Sequence, residues 1–336
     1  MINCGLIGYG YWGPNIAKSL NRIKGINLAV ICDKDLGRRK EAKLLYPRAE
    51  ITNGVDFLFN HANLDVIIIA SPASTHYELA VKGLKAGKHL LVEKPLTLTV
   101  KEAEDLIRIN DKAKRVVMVG HTFEYNPVVL KIKKITKEEN FGKIYYIYST
   151  RVNLGQIRGD VNALWNLAPH DISILNFLLD KNPEQVMAAG ASFLQKDIED
   201  VVFIILRYPN NVLAEIHLSW LDPAKERKVT VVGSKKMLVF DDLDNEMPLK
   251  IYDKRADTNE IAKGLATEYK IKLHSGDIYA PQIENKEPLL EELDHFFDCI
   301  KYNKKPLTDL ENGLRVVKVL EACQNSLQNN GKWVKI

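Results

Sequence analysis

The residues with the clearest chemical meaning stand near the amino end, where positions 8 to 13 read GYGYWG. This is a GxGxxG pattern, placed directly after an apolar strand-like run and directly before a helix-like one. Its glycines permit a tight turn, a close approach of the backbone to a pyrophosphate, and close packing of helix on strand. Glycine turns also occur here for packing alone, so the pattern by itself is weak. The residues expected to contact a dinucleotide, beside the amino end of the helix, are Gly8, Gly10, Tyr11, Trp12 and Gly13.

An acidic residue strengthens this interpretation. Asp33 ends the second predicted strand about 20 positions after Gly13, where a carboxylate can accept hydrogen bonds from both ribose hydroxyls of an adenosine. The same charge repels a 2′-phosphate, so the sequence favours NAD over NADP as the cofactor. Arg38 and Arg39 follow closely and could soften that preference, although their ordinary role would be a solvated first helical turn. We count Arg38 among the candidate cofactor contacts.

A lysine stands at a second strand end. The chain reads Val92-Glu93-Lys94-Pro95 where the fourth predicted strand stops, and ligands of open α/β sheets gather outside the carboxyl ends of the strands. The proline favours an extended conformation at Lys94. A Lys-Pro pair is also a common surface exit from a strand, so the two residues alone leave both interpretations open.

The elements that must position these residues alternate in the first part of the chain. Short apolar runs alternate with amphipathic stretches of helical length as far as about Gly120, which predicts a doubly wound parallel sheet with helices packed over it. The predicted strands are Asn3–Ile7, Asn27–Cys32, Asp65–Ala70, His89–Val92 and Val116–Val119, and the predicted helices are Pro14–Leu20, Leu36–Leu45, His76–Ala86 and Thr99–Ala113.

The later part of the chain is richer in strands, which predicts an α+β domain with a large, mostly antiparallel open sheet. We therefore expect an NAD-binding Rossmann domain over residues 1–120 and a domain for substrate binding and oligomerisation over residues 121–336. The least periodic stretch, Asp253–Pro281, is predicted to be a mobile or ligand-covering loop. The predicted strands are Lys143–Val152, Val201–Arg207, Val212–Ser219, Lys228–Val232 and Lys236–Phe240, and the predicted helices are His170–Leu179, Glu287–Tyr302 and Asp309–Gln328.

Composition excludes several classes of protein. The 336 residues are 46% hydrophobic and 27% charged, as in an ordinary globular protein of about two domains. The net charge of +4 is too small to indicate a nucleic-acid or anionic-membrane partner. We expect a cytoplasmic protein with reduced cysteines and no metal site, since no signal peptide or spanning segment is visible and the four cysteines lack metal spacing.

The order of the motifs resembles a known family. The glycine stretch and Asp33 are followed by SPASTH at 71–76, Glu93-Lys94-Pro95, NALWNLAPHDI at 162–172, SWL at 219–221 and DDL at 241–243. This sequence closely resembles the glucose-fructose oxidoreductase and inositol dehydrogenase family, Gfo/Idh/MocA, over nearly the whole chain. The motifs of the second half look like a branch associated with sugar nucleotides.

The resemblance implies a reaction and two catalytic residues. In such enzymes the lysine matching Lys94 and the histidine matching His170 lie beside the nicotinamide and the hydroxyl being oxidised. We expect His170 to be the base and Lys94 to stabilise the substrate oxygen, with Lys94 as the alternative base. The implied activity is NAD-dependent oxidation, at C3, of UDP-N-acetylglucosamine or its uronate. Alternatives are a cyclitol or aldose dehydrogenase, a ketosugar reductase, and a protein that binds NAD without catalysis.

One position departs from the family. Many members carry an aspartate four residues before the histidine, where this chain has Asn166. An amide can orient the imidazole but supplies no negative charge to stabilise its protonated form. The proton relay is therefore in doubt, and Lys94 could take a larger share of the chemistry.

The remaining candidates follow from the same motifs. Asp171 is expected to be a first-turn helix residue and not a catalyst. A sheet with helices mainly on one side leaves a face that subunit contact could cover, so we expect a homo-oligomer, a dimer or tetramer, formed through the C-terminal sheet. Further cofactor contacts are predicted at Ser71, Pro72, His76, Glu93, Lys94, His121 and Trp165, and substrate contacts at Lys94, Arg151, Arg158, Asn162, Asn166 and His170.

Overall fold

A computed structural model describes residues 1–258 and 271–336, which form two compact units. The first unit comprises Met1–Asn126 and Lys286–Glu321, and the second comprises Pro127–Asn285 and Ala322–Ile336. A late segment of the chain therefore belongs to the same unit as the glycine-rich stretch. The functional division predicted at residue 120 stays a prediction.

The first unit is built on a parallel sheet. Its strands lie in the order β3-β2-β1-β4-β5-β6, every pair parallel, which confirms the predicted Rossmann sheet. The short elements β3 and α3 were not predicted, because three and six residues carry too little periodicity to recognise. The elements are β1 (Ile2–Ile7), α1 (Gly13–Leu20), β2 (Ile26–Cys32), α2 (Leu36–Leu45), β3 (Glu50–Thr52), α3 (Val55–Asn60), β4 (Val66–Ile69), α4 (His76–Lys85), β5 (His89–Glu93), α5 (Val100–Ala113) and β6 (Val117–Gly120).

The strand order reverses beside β1, which pairs with β2 on one side and with β4 on the other. In open α/β sheets, ligands bind at such a switch point, outside the carboxyl ends of the strands. The chain leaves the sheet at that edge through Gly8 after β1, Ser71 shortly after β4, Lys94 after β5 and His121 after β6. Four separate sequence motifs thus converge on one edge of this unit.

The second sheet is mixed. Among the described residues its order is β14-β13-β12-β11-β7-β10-β9-β8-β15, and only β7 and β10 pair in parallel, which confirms the predicted mostly antiparallel sheet. Of the elements here, α8 and the first part of α9 belong to the first unit. The remaining elements are α6 (Pro127–Thr136), β7 (Ile144–Val152), α7 (Ala163–Leu179), β8 (Gln185–Ala191), β9 (Val201–Tyr208), β10 (Val212–Ser219), β11 (Glu226–Gly233), β12 (Met237–Asp241), β13 (Leu249–Thr258), β14 (Ile271–Tyr279), α8 (Pro288–Tyr302), α9 (Leu310–Gln328) and β15 (Val334–Lys335).

The helix that carries His170 is longer than predicted. The prediction of a start at His170 was wrong, because α7 begins at Ala163 and Asn162 caps it by accepting a hydrogen bond from the backbone N–H of Trp165 at 3.1 Å. Pro169 lies inside the helix, where it removes one backbone donor without ending the helix. His170 is therefore an interior helical residue, and so is Asp171, which corrects its assignment to a first turn.

The stretch predicted as an irregular loop is largely paired. Within Asp253–Pro281, the residues up to Thr258 belong to β13 and those from Ile271 to Tyr279 form β14, and the two strands pair antiparallel. The loop prediction was wrong for these residues, because backbone pairing holds strands whose side chains do not alternate. The part of the prediction that falls on residues 259–270 lies outside the described residues.

No helix within the described ranges combines the length and the apolar character needed to cross a membrane.

Candidate active site

The glycine loop after β1 shows why each glycine is needed. Gly8 has φ +96°, and a Cβ there would lie 2.5 Å from the carbonyl oxygen of Ala70. A Cβ on Gly13 would lie 2.3 Å from the carbonyl oxygen of Gly8. A Cβ on Gly10 would meet only the guanidinium of Arg38, at 3.1 Å. Two glycines are thus required by the fold, and the third leaves backbone open to a ligand, as a diphosphate site needs.

Asp33 anchors this loop from the end of β2. Its carboxylate accepts hydrogen bonds from the backbone N–H of Tyr9 at 2.6 Å and of Asp35 at 2.8 Å. Each carboxylate oxygen has a second acceptor position, so ribose hydroxyls can still bind. The Arg38 guanidinium lies 3.9 Å from the carboxylate and is half exposed, whereas Arg39 donates to the carbonyl oxygens at the start of the next turn. Arg38, but not Arg39, therefore borders the predicted ribose position.

Glu93 connects the glycine loop with Lys94. Its buried carboxyl accepts a hydrogen bond from the backbone N–H of Lys94 at 3.3 Å, and the nearby indole of Trp12 favours its charged form. A Cβ at Gly120 would lie 2.9 Å from the same carboxyl, so β6 needs a glycine to make room for it. Burial raises the pKa of Glu93 to about 7, against the opposing charge of Lys94. The predicted cofactor contacts of Trp12 and Glu93 stay predictions, and Glu93 lies beside Trp12 and bonds to the backbone of Lys94.

His76 lies beneath two of the converging loops. Its ring nitrogens are 2.8 Å from the carbonyl oxygen of Pro95 and 2.9 Å from that of Ser71, and the side chain is buried. Burial lowers its pKa. The Lys94–Pro95 peptide bond above it is cis, and the Ser71 hydroxyl is 2.6 Å from that of Thr75. His76 thus joins the loop after β4 to the loop after β5, and Ser71 and Pro72 remain at the edge where a cofactor is predicted.

His121, at the end of β6, belongs to a buried network. Its Nδ1 is 2.7 Å from the side-chain oxygen of Asn312, whose NH₂ group donates to the carboxylate of Glu124 at 3.0 and 3.2 Å. Burial lowers the pKa of His121 to about 4, so the ring is neutral at pH 7. Its predicted approach to the nicotinamide amide stays a prediction. Asn312 was missed by the sequence analysis, since its partner lies 191 positions away.

In the second unit, Asn166 and His170 share one side of α7. They are one helical turn apart and partly exposed, whereas their neighbours Trp165 and Asp171 are buried. The side-chain oxygen of Asn166 accepts a hydrogen bond from the indole N–H of Trp220 at 3.2 Å. The helix therefore presents the predicted base together with the residue that replaces the family aspartate.

A buried ion pair fixes this helix to its sheet. Asp171 accepts hydrogen bonds from Arg151 Nε at 2.6 Å and from the Ser149 hydroxyl at 2.5 Å, and all three side chains are buried. The pair holds α7 on β7 directly beside His170. The predicted contact of Arg151 with a substrate stays a prediction, and the interaction seen here is structural.

The other predicted residues support the start of α7. Asn162 donates to Glu199 at 2.6 Å and to Gln324 at 3.0 Å in addition to its capping role. The indole of Trp165 donates to the same Gln324 oxygen at 3.1 Å. Arg158 forms a bidentate ion pair with Asp160, with hydrogen bonds of 2.8 and 2.7 Å. Their predicted ligand contacts stay predictions; Glu199 and Gln324 carried no motif by which to find them.

Two family models match the chain. The model described as "Oxidoreductase family, NAD-binding Rossmann fold" covers residues 2–121, and "Oxidoreductase family, C-terminal alpha/beta domain" covers residues 134–336. The chain belongs to the Gfo/Idh/MocA oxidoreductase family. This confirms the resemblance seen in the motifs.

Named relatives of this Gfo/Idh/MocA oxidoreductase differ in what they act on. The uncharacterised oxidoreductase YdgJ of Escherichia coli is 31% identical over 72% of each chain. UDP-N-acetylglucosamine 3-dehydrogenase of Acidithiobacillus ferrooxidans is 26% identical over 93% of each, and its solved structure, 22% identical over 98% of each chain, has a TM-score of 0.81. Myo-inositol 2-dehydrogenase of Thermotoga maritima is 23% identical over 96% of each. The structural likeness shows a shared fold.

The first unit fits the NAD that its family binds. Gly10 exposes backbone at the turn, Asp33 retains acceptor positions for ribose hydroxyls, and α1 directs its amino end to the same edge. The cofactor prediction is confirmed at the level of the family. No group of three or more His, Cys, Asp or Glu side chains within the described ranges could hold a metal ion.

Proposed function

We propose that this oxidoreductase oxidises the 3-hydroxyl of a UDP-linked N-acetylated amino sugar, such as UDP-N-acetylglucosamine or its uronate. NAD, when bound, accepts the hydride from the carbon that bears the hydroxyl. The observation that carries the redox part is the link from the glycine loop through Glu93 to Lys94 at the end of β5. The sugar-nucleotide part rests on the full-length similarity to a UDP-N-acetylglucosamine 3-dehydrogenase.

In this proposal Lys94 and His170 act on the same hydroxyl. His170 removes the proton from the hydroxyl oxygen while the C–H bond breaks, and the cationic Lys94 stabilises the negative charge that develops on that oxygen. Asn166 orients the imidazole from the preceding helical turn, and Asp171 fixes the helix that carries it. Ser71, Pro72 and Arg38 are proposed cofactor contacts, and Arg158 is a proposed contact for the substrate diphosphate.

A substrate panel tests the proposal. We expect NADH to form, followed by its absorbance, with UDP-N-acetylglucosamine or its uronate and not with free N-acetylglucosamine, glucose or myo-inositol. A substrate carrying deuterium at C3 should transfer deuterium to the cofactor, whereas one deuterated at C4 should not. Lys94→Met should abolish turnover and retain NAD binding, because the amine acts on the substrate oxygen.

Two alternatives predict different results from the same panel. The similarity to myo-inositol 2-dehydrogenase favours a cyclitol dehydrogenase as the second candidate, and fastest turnover of myo-inositol would replace the sugar-nucleotide proposal with that one. Binding of NAD without turnover of any substrate would indicate a sensing protein, an alternative based on the amide of Asn166, which supplies no negative charge to His170.

We also propose a cytoplasmic homo-oligomer formed through the second sheet. Its outer face carries large exposed apolar side chains, and register places Tyr146 beside Leu213 and Phe203 beside His217 on that face. Isolated apolar residues are ordinary on a surface, whereas a contiguous group marks an interaction site. Light scattering of Leu213→Glu against the natural protein tests this, since a lower mass is expected for the variant and an unchanged mass would contradict the proposal.

A further inference from the structure

Two buried carboxyl groups in the first unit each have one oxygen without a hydrogen-bond partner among the described residues. Glu93 ends β5, and Glu292 lies on α8 and has no exposed surface. One oxygen of Glu292 accepts a hydrogen bond from the Thr122 hydroxyl at 2.7 Å, as one oxygen of Glu93 does from the Lys94 N–H. The other oxygen of each, Oε1, is buried and has no hydrogen-bond partner among the residues that the structure describes. Such atoms are rare in folded proteins and need an explanation.

The charges around the pair are unequal. Glu93 faces the cation of Lys94 and the indole N–H of Trp12, both of which favour its charged form. Glu292 faces the negative charges of Glu93 and Glu124, with the Thr122 hydroxyl as its donor and the Tyr125 hydroxyl nearby. The Glu124 carboxylate is engaged by Asn312 and lies 3.9 Å from His121, which is also near Lys94 and Arg315.

One proton shared between the two groups would supply both missing hydrogen bonds. A protonated carboxyl is a donor and a carboxylate is an acceptor, so one proton between the two groups fills both missing hydrogen bonds and removes one buried charge. Burial, followed by the charge of Glu93, raises the pKa of Glu292 well above its ordinary value. The cation of Lys94 favours the charged form of Glu93, so Glu292 is the better carrier of the proton.

We propose that Glu292 is a protonated positioning residue, which donates a hydrogen bond from its Oε1 to Oε1 of Glu93. The donated bond holds the Glu93 carboxylate beside the Trp12 indole of the glycine loop, where it accepts from the Lys94 backbone. One carboxyl on α8 thus sets the distance between the cofactor loop and Lys94. The effect of Glu292 on turnover rests on the proposed function, in which Lys94 acts on the substrate. The protonation of Glu292 does not depend on that function.

Infrared difference spectra of the protein without substrate test the shared proton. At about pH 7 ordinary carboxyl groups are ionised, so we expect a larger protonated-carboxyl C=O band in the natural protein than in Glu292→Gln. The control Asp298→Asn, an exposed acid on the same helix, should leave the band unchanged. Absence of the band, or a band of equal size in Glu292→Gln, would overturn the proposal.

Matched substitutions test the positioning role. A glutamine amide can donate the same hydrogen bond without a titrating proton, whereas leucine cannot donate. We expect Glu292→Leu to weaken NAD binding, measured by calorimetry, by roughly tenfold, the effect of one lost hydrogen bond to a charged group. Glu292→Gln should remain within about threefold of the natural protein. Equal weakening in both variants would refute donation by Glu292. If both variants behave as expected and the protein turns over no sugar nucleotide of the substrate panel, only the proposed substrate is refuted.

Discussion

The proton on Glu292 predicts how the stability of the protein changes with pH. In the unfolded chain the group ionises near its ordinary pKa of about 4.3, whereas burial and the charge of Glu93 keep it protonated in the fold to a much higher pH. A raised pKa contributes stability that is fully present below the unfolded value and is lost as pH rises towards the folded value. The natural protein therefore loses stability across this window, and Glu292→Gln, which does not titrate, does not lose this contribution.

The size of the effect follows from proton linkage. The unfolded state releases one more proton than the folded state throughout the window, so the free-energy difference between variant and natural protein grows by about 1.4 kcal/mol per pH unit. Between pH 5 and pH 7 the variant should gain roughly 2.7 kcal/mol relative to the natural protein. Glu93, whose pKa of about 7 is also raised, remains in both proteins and to first order drops out of the difference.

Thermal denaturation at several pH values measures this difference. For a unit of about 160 residues, 1 kcal/mol corresponds to roughly 2–4 °C in Tm, so the gap should widen by about 5–10 °C from pH 5 to pH 7. Asp298→Asn, on the exposed side of the same helix, should run parallel to the natural protein. Parallel curves for Glu292→Gln would show that Glu292 ionises as readily in the fold as outside it, and the reasoning from burial would be refuted.

Three further substitutions test other parts of the site. Asn166→Asp keeps the acceptor for the Trp220 indole and adds a charge that stabilises protonated His170, so kcat should rise and the acid limb of kcat/KM should move to higher pH; an unchanged profile would show a purely structural position. Arg151→Leu leaves Asp171 buried without its cation, so the free energy of unfolding, measured by chemical denaturation, should fall by about 3–5 kcal/mol. Most of that loss should be recovered in the double variant that also carries Asp171→Leu, and additive losses from the two substitutions would contradict this. Asp33→Ala removes the charge that repels a 2′-phosphate and leaves the Arg38 guanidinium beside it, so the ratio of kcat/KM for NADP to that for NAD should rise, and a constant ratio would argue against Asp33 at the ribose.

Local patterns predicted the first unit well. The glycine loop is recognisable because its conformational requirements fall within six consecutive residues, and Gly8 and Gly13 are indeed needed to avoid backbone collisions. The alternation of strands and helices also predicted Lys94 at a strand end, because each element is recognised from the periodicity of its own residues. These features are encoded by neighbours in sequence.

Partners distant in sequence were not predictable. The cofactor contacts predicted for His76 and His121 stay predictions, but the contacts of their rings with Pro95 and Asn312 were not predicted. A polar residue after a strand has the same local pattern whether it faces a ligand or a buried carbonyl group. The choice depends on which segment packs against it, and here residues 286–321 return to the first unit from the far end of the chain.

The return of residues 286–321 places Glu292 in the same unit as Glu93, which the motifs alone do not show. The glycine loop and Lys94 leave the sheet on different strands, and the Glu93 carboxyl connects them, since it lies beside the Trp12 indole and accepts from the Lys94 backbone. Because one group holds both, a change at Glu93 or Glu292 should alter NAD affinity and turnover together. A change confined to the exposed side of α7, such as Asn166→Asp, should alter kcat and leave the dissociation constant for NAD unchanged. The two kinds of variant should differ because Glu93 and Glu292 act on both the glycine loop and Lys94, whereas Asn166 lies on α7 beside His170.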